Sequence, residues 1–158
     1  MKKLLYFILL VMPLISNAQS DFNFLIENGK IIWKMDSVLV KSDIDIKSRF
    51  TEKLESLDGI EIINSSNPNM IRARMKNFNL GEKQLLLGAI TEYVNGEIRI
   101  EINQGCCYKV KLSSLERVRG GTSYTFETQI LKKKGTVFFN EIYSALPDKI
   151  FLETFKLD

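Results

Sequence analysis

Two adjacent cysteines, Cys106 and Cys107, carry the most reactive side chains of this 158-residue chain. A redox pair normally has two intervening residues, because that spacing lets the thiols form a disulfide without strain. Three interpretations of the adjacent pair stay open. It forms a vicinal disulfide that responds to redox state, it remains as reduced or separately modified thiols beside a hairpin turn, or it binds another chain or a soft metal.

Histidine is absent from the chain. Its absence excludes histidine-based catalytic triads, histidine-ligated zinc and histidine pH switches. Carboxylate pairs such as Glu52 with Glu55, or Glu97 with Glu101, have the spacing of ordinary solvent-exposed faces. The chain also contains no glycine-rich phosphate-binding motif. We therefore expect a non-enzymatic protein with no catalytic residues, no cofactor and no metal site.

Aromatic residues near the C-terminus are the remaining candidates for contact with a ligand. Their helical spacing is typical of a buried helix face, but it also suits the lining of an apolar pocket between a helix and a sheet. The candidate pocket residues are Phe138, Phe139, Tyr143, Phe151 and Phe155.

The first 18 residues have the pattern of a secretory signal peptide. Lys2 and Lys3 precede an apolar segment from Leu4 to Ile15, and Ser16-Asn17-Ala18 provides small or polar residues before a cleavage site at Gln19. The apolar segment is shorter than the roughly 20 residues of a membrane span. We expect export to the periplasm or the medium, typical of a bacterial protein. Removal of residues 1–18 would leave one domain, residues 19–158, with no membrane span.

Removal of this segment also changes the charge balance. It takes away two of the 22 basic residues, which leaves 20 basic and 19 acidic residues and a net charge of +1. A nearly neutral chain has no general attraction to nucleic acid or to an anionic membrane. We interpret the alternating Arg72, Arg74 and Lys76 as a solvent-exposed strand face.

The N-terminal half predicts a hairpin followed by a helix. Asn28-Gly29 favours a tight turn between strands at Phe22–Ile26 and Ile31–Val40. Ser42 is a suitable N-cap for a helix that ends at Asp58-Gly59. The spacing of the apolar residues Ile46, Phe50, Leu54 and Leu57 places them on one buried face.

Alternation of apolar and polar residues predicts an antiparallel sheet in the middle of the chain. A second Asn-Gly turn, Asn95-Gly96, would place Glu92 opposite Arg99 on the wet face. A three-residue loop at Gln104–Cys106 would pair Ile102 with Tyr108, because only this register buries the isoleucines. The predicted strands are Ile60–Asn64, Met70–Phe78, Gln84–Val94, Glu97–Asn103 and Tyr108–Leu112.

The C-terminal third predicts one more strand within Thr122–Leu131 and then helical spacing from Phe138 to Phe155. Pro147 lies inside this segment and lacks a backbone donor, so we expect a kink or a break there.

The order of these elements resembles a family of secreted bacterial domains of unknown function, whose fold is like the half-repeat of the TATA-binding protein (TBP). The matching features are the signal peptide, the strand start at Asn28–Ile32, the capped helix from Ser42 and the segment Val94–Ile100. The resemblance implies an α+β fold, an antiparallel sheet of about six to seven strands with helices on one face. It provides no catalytic residues to carry over, because none are established for such domains, and the segment Phe138–Phe155 with its internal proline departs from the family.

Together these features predict an exported interaction or envelope-associated module that presents its polar sheet face or its loops to an envelope protein. The alternative is a carrier that holds a small apolar ligand between the sheet and the helices.

The signal peptide gives the first testable prediction. Cleavage after Ala18 should leave Gln19 as the first residue, because the small side chain of Ala18 suits a signal peptidase. N-terminal sequencing and intact mass of the protein from an envelope fraction will check this. Mature protein that retains Met1 would contradict it.

Overall fold

The computed structural model describes residues 23–38, 45–63, 66–85, 88–103, 107–129 and 141–157, without the side chains of 83–90 and 141–143. The strands in these ranges are β1 (Phe24–Glu27), β2 (Lys30–Val38), β3 (Ile60–Ile63), β4 (Met70–Leu85), β5 (Gly88–Asn103), β6 (Cys107–Arg119) and β7 (Thr122–Thr125). The helices are α1 (Ile46–Glu55), α2 (Phe126–Gln129) and α3 (Glu141–Phe155).

The strands form one antiparallel sheet in the order β1-β2-β6-β5-β4-β3, and β7 pairs with the end of β6 beyond β2. The buried residues of the helices pack on a single face of this sheet. From α1, the Phe50 ring meets Tyr108 edge-on at 4.8 Å, and from α3, Phe151 meets Trp33 at 5.6 Å. The predicted α+β class, with an antiparallel sheet and helices on one face, is therefore confirmed.

Helix α1 follows the predicted apolar stripe. Ile46, Phe50 and Leu54 are buried, and Leu57 packs partly against the same core. The N-cap is Asp45, whose carboxylate accepts a hydrogen bond from the Ser48 amide at 3.1 Å. The predicted cap Ser42 lies outside the described residues, and the helix ends at Glu55, before the predicted Asp58-Gly59 stop.

Strands β5 and β6 pair in the register that burial predicts. Ile102 lies opposite Tyr108, Ile100 opposite Val110, and Ile98 opposite Leu112. Tyr108, Val110, Leu112 and their partners Ile98 and Ile100 are at most 2% exposed. The loop residues 104–106 themselves lie outside the described residues, but the pairs on both sides fit the predicted three-residue connection.

The predicted turn at Asn95-Gly96 is wrong, because β5 runs straight through it. Each neighbouring strand carries one extra residue beside this point, at Asn77 in β4 and Ser114 in β6, and both have a left-handed backbone. A Cβ on Gly96 would lie 2.9 Å from the Leu115 side chain. Gly96 therefore allows close packing between two bulges, and Asn95 accepts a hydrogen bond from the Asn77 amide at 2.7 Å.

The C-terminal third differs from expectation in two places. The strand predicted within Thr122–Leu131 ends at Thr125, and α2 begins at Phe126, which is fully buried. Helix α3 continues through Pro147, so the predicted break does not occur. Pro147 and Asp148 are both buried, and the hydrogen bonds of Asp148 to the sheet, described below, hold the helix at this point.

Phe50 tests the phase of α1. Phe50→Ala should lower the free energy of unfolding by about 3–5 kcal/mol, because it empties a fully buried site against Tyr108. The control is Glu55→Ala on the exposed side of the same helix, where a change within about 0.5 kcal/mol is expected. Chemical denaturation measures both, and equal small losses would show that the helix phase is wrong.

Candidate functional site

The face of the sheet opposite the helices is the candidate functional site, and we call it the open face. Side chains alternate between the two faces of a strand, so burial of Ile98 and Ile100 turns Arg99 outward. The same alternation turns Lys111 outward between Val110 and Leu112. The core therefore determines which charged residues lie on the open face.

Four basic residues lie in one row across four neighbouring strands of the open face. Lys34 is directly opposite Lys111, and Lys111 is directly opposite Arg99. Arg99 is in turn opposite Arg72. Directly opposed side chains have Cβ atoms only about 4.5–5.5 Å apart, and like charges in such pairs are destabilising. We call this set of residues the basic row.

The rows on both sides of the basic row have mixed charge. On one side Arg74 lies between Glu97 and Glu61, and Glu97 is opposite Ser113. On the other side Lys109 lies between Glu101 and Asp36. Each flanking row thus carries two acidic residues and one basic residue, whereas the basic row carries four positive charges.

Acidic neighbours neutralise part of the basic row. Glu27, at the end of β1, forms ion pairs with both Lys111 and Lys34, the second at 3.7 Å. The hydrogen bond from Lys111 is the main reason that the pKa of Glu27 is lowered, and the positive charges of Lys111 and Lys34 lower it further. Arg99 pairs with Glu101 at 2.8 Å. Arg72 makes no ion pair within the described part of the chain.

Two adjoining grooves follow the basic row. One has a volume of about 240 Å³, and its polar lining consists of Arg72, Arg99, Lys111, Ser113 and the acidic Glu97. The second, of about 310 Å³, is lined by Lys34, Arg99 and Lys111 together with residues of the adjacent flanking row. Arg99 and Lys111 line both grooves, so the two grooves adjoin along the basic row.

A second group of charges is buried on the helix side. Glu92 is 1% exposed, pairs with the guanidinium of Arg119, and lies 3.5 Å from Nε of Arg117. Arg117 is 2% exposed, and its guanidinium lies over the Phe126 ring at 5.5 Å. The prediction that Glu92 faces solvent opposite Arg99 is wrong. It depended on the Asn95-Gly96 turn, and in the continuous strand Glu92 shares the buried side with Val94.

Another buried carboxylate fastens α3 to the sheet. Oδ1 of Asp148 accepts hydrogen bonds from Nε1 of Trp33 at 2.7 Å and from the Asn23 amide at 3.0 Å. Nδ2 of Asn23 donates to the same oxygen at 3.1 Å. Donors from β2 and from the residue before β1 thus saturate this oxygen, which gives Asp148 a structural role.

Among the residues predicted as site candidates, the described ones lie in different parts of the molecule. Cys107 begins β6 opposite Asn103 and is partly exposed, whereas Cys106 lies outside the described residues. Their redox role stays a prediction. Phe151 and Phe155 are fully buried against Trp33. Phe138 and Phe139 lie outside the described residues, as does the side chain of Tyr143, and the apolar pocket also stays a prediction.

Two solved structures match this chain in a structural comparison. A DUF4468 family protein from Bacteroides ovatus matches with a TM-score of 0.55 and 16% identity, over 83% of this chain and 82% of that chain. A TBP-like protein from Parabacteroides distasonis matches with a TM-score of 0.47 and 13% identity, over 83% and 94%. No protein-family model and no curated protein matches. The first match confirms the expected resemblance to a domain of unknown function at the level of the fold.

Two further findings concern the described residues alone. None of the helices described is both long and apolar enough to cross a membrane. In the same residues, acidic and cysteine side chains do not gather into a group of three or more that could hold a metal ion.

The buried charges make a prediction about stability. Glu92→Gln should lower the free energy of unfolding by about 3 kcal/mol, because it leaves two arginines without their buried counter-charge. The matched control is Glu97→Gln, an exposed position on the same strand, with an expected change below about 1 kcal/mol. Urea denaturation measures both variants. Similar effects at the two positions would show that Glu92 is not held in a buried ion pair.

Proposed function

We propose that the chain is an exported, non-enzymatic interaction module that docks a component of the cell envelope on the open face of its sheet. The observation that carries this proposal is the basic row. Opposed like charges reduce stability, yet four cations occupy neighbouring strands at the centre of an outward face. The flanking rows alternate the two signs, whereas the basic row takes its counter-charges from Glu27 and Glu101 outside the row.

The described buried carboxylates support a binding role rather than acid–base catalysis. Asp148 accepts three hydrogen bonds from Trp33 and Asn23, and Glu92 is held by two arginines. A catalytic acid or base needs access to a substrate proton, whereas these groups face their own structural partners. Their contacts join elements of the fold, whereas the charged side chains of the open face are at least partly exposed to solvent, where another molecule can contact them.

Export supports an envelope component as the partner. The signal-peptide pattern of residues 1–18 predicts that the domain works outside the cytoplasm. There it would meet envelope proteins rather than nucleic acid. The nearly balanced charge of residues 19–158 also favours a local docking surface over general attraction to polyanions.

Site-specific photo-crosslinking in the native host tests this proposal. A photoreactive amino acid in place of Ser113 would lie in the groove on the open face without removing a charge. The same amino acid in place of Glu153 would lie on the exposed side of α3. We expect Ser113 variants to yield discrete crosslinked species that contain an envelope component, identified by mass spectrometry, and Glu153 variants to yield none of them.

Two outcomes would overturn the proposal. Identical crosslinks at both positions would show that contacts do not depend on the open face. The absence of crosslinks at Ser113, in protein that is exported and folded, would show that this face stays exposed to solvent.

A further inference from the structure

We infer that the basic row binds an extended acidic peptide segment of the partner, laid across the strands. This inference rests on the proposed function and names the chemistry of the docked component. Two features of the open face support it. The neighbouring residues Arg72 and Arg74 have different charged residues opposite them, and the basic row is narrow.

Arg72 and Arg74 are neighbours on the same side of β4, and both are exposed. Arg74 is directly opposite Glu97 on β5 and Glu61 on β3, so two carboxylates lie on neighbouring strands beside it, although Glu61 forms its ion pair with Lys76 at 2.7 Å. Arg72 is directly opposite Arg99 on β5 and the apolar Ile63 on β3. The register thus places one arginine between two carboxylates and the next one opposite a like charge, Arg99, whose own ion pair is with Glu101. An external anion would offset the remaining repulsion.

The width of the positive strip restricts the form of that anion. Residues two apart on a strand are separated by about 6.6–6.8 Å, so the flanking rows begin about 7 Å from the basic row on each side. Those rows carry Glu61 and Glu97 on one side and Glu101 and Asp36 on the other. A nucleic-acid duplex or an anionic membrane would also cover these carboxylates. A single narrow chain would not.

The flanking carboxylates also favour a ligand that donates hydrogen bonds. The amide groups of a peptide backbone are donors, and the carboxylates of Glu97 and Glu101 are acceptors on the two sides of the row. The sugar–phosphate backbone of single-stranded DNA has no such donors and would meet only repulsion there. The planar guanidinium groups of Arg72 and Arg99 match the geometry of peptide carboxylates, which they can hold through paired hydrogen bonds.

The length of the row indicates the length of the segment. Four strands at a spacing of about 4.8 Å place Lys34 and Arg72 about 14 Å apart. An extended peptide rises about 3.3 Å per residue, so about four to five residues span the row. Such a segment would lie along both grooves, because Arg99 and Lys111 line each of them.

Binding to a defined peptide tests this inference with the processed, exported chain. The probe is a fluorescent peptide of alternating Glu and Asp residues, and the control probe replaces them with Gln and Asn. We expect the acidic probe alone to bind, with an affinity that falls as salt is added. Arg72→Gln should weaken binding about tenfold, since a charge-assisted hydrogen bond is lost. Arg74→Gln is the matched control and should change affinity less than about threefold.

Stability supplies a second readout on the same two variants. Arg72→Gln should raise the urea midpoint, because it removes a repulsion with Arg99. Arg74→Gln should lower the midpoint, because it removes a cation from between two glutamates. Opposite shifts would show that the register creates the charge difference on which the inference depends. Shifts of the same sign would overturn it.

The remaining outcomes separate this inference from the proposed function. Equal loss of binding in the Arg72 and Arg74 variants would overturn the basic row as the site. Binding of single-stranded DNA or a polyuronate, but not of the acidic peptide, would overturn the peptide chemistry. If no probe binds while the Ser113 crosslinks persist, the acidic-peptide inference fails and the proposed function stands. If the Ser113 crosslinks are also absent, both fail.

Discussion

The pairing of β5 with β6 is the constraint on which both faces of this sheet depend. Ile98, Ile100 and Ile102 oppose Leu112, Val110 and Tyr108, and a shift by one residue would expose the whole set to water. Because strand residues alternate between faces, this register also places Arg99 directly opposite Lys111. The hydrophobic core thus determines the geometry of the charged surface, which cannot rearrange without loss of the core.

The bulges extend this constraint to the neighbouring strands. An extra residue at Asn77 in β4 and another at Ser114 in β6 lie on the two sides of Gly96. Beyond Ser114 the alternation of β6 is reversed, so that Leu115 and Arg117 point to the core. One bulge therefore separates a part of β6 with outward-facing lysines from a part with an inward-facing arginine.

The two Asn-Gly pairs show how far local sequence determines this fold. Asn28-Gly29 forms the predicted turn, with both residues at positive φ, because the strands on either side pair only with each other there. Asn95-Gly96 has the same local preference but lies in the middle of the sheet, where packing of Leu115 and pairing on both edges keep β5 extended. Tertiary contacts therefore determine whether an Asn-Gly pair forms a turn or stays in an extended strand. The local sequence does not reveal these contacts.

Only part of the candidate site could be predicted from the sequence, because the rest depends on pairing between strands that are distant in the chain. The alternation of Arg72, Arg74 and Lys76 correctly indicates an exposed strand face. The basic row spans four strands, however, and its recognition requires the register of every pair. Of the three strand pairs that form the basic row, only β5–β6 has a register that the sequence predicts, from a short loop and the burial pattern. The buried position of Glu92 could not be recognised while Asn95-Gly96 was interpreted as a turn, because that turn pairs Glu92 with a residue on the wrong face.

Buried and exposed basic residues of this sheet differ in how completely acidic side chains neutralise them. The difference follows from their access to water. Arg117 is buried, where an uncompensated charge would lose its hydration without replacement, and the chain supplies Glu92 as its counter-charge. Arg72 and Arg99 are exposed, and hydration makes their opposition tolerable without a complete set of internal partners. A docked molecule that displaced this water would raise the free-energy cost of keeping the positive charges of Arg72 and Arg99 opposite each other. On the proposed docking surface this cost would favour a partner that brings its own negative groups over a neutral or basic chain of the same shape.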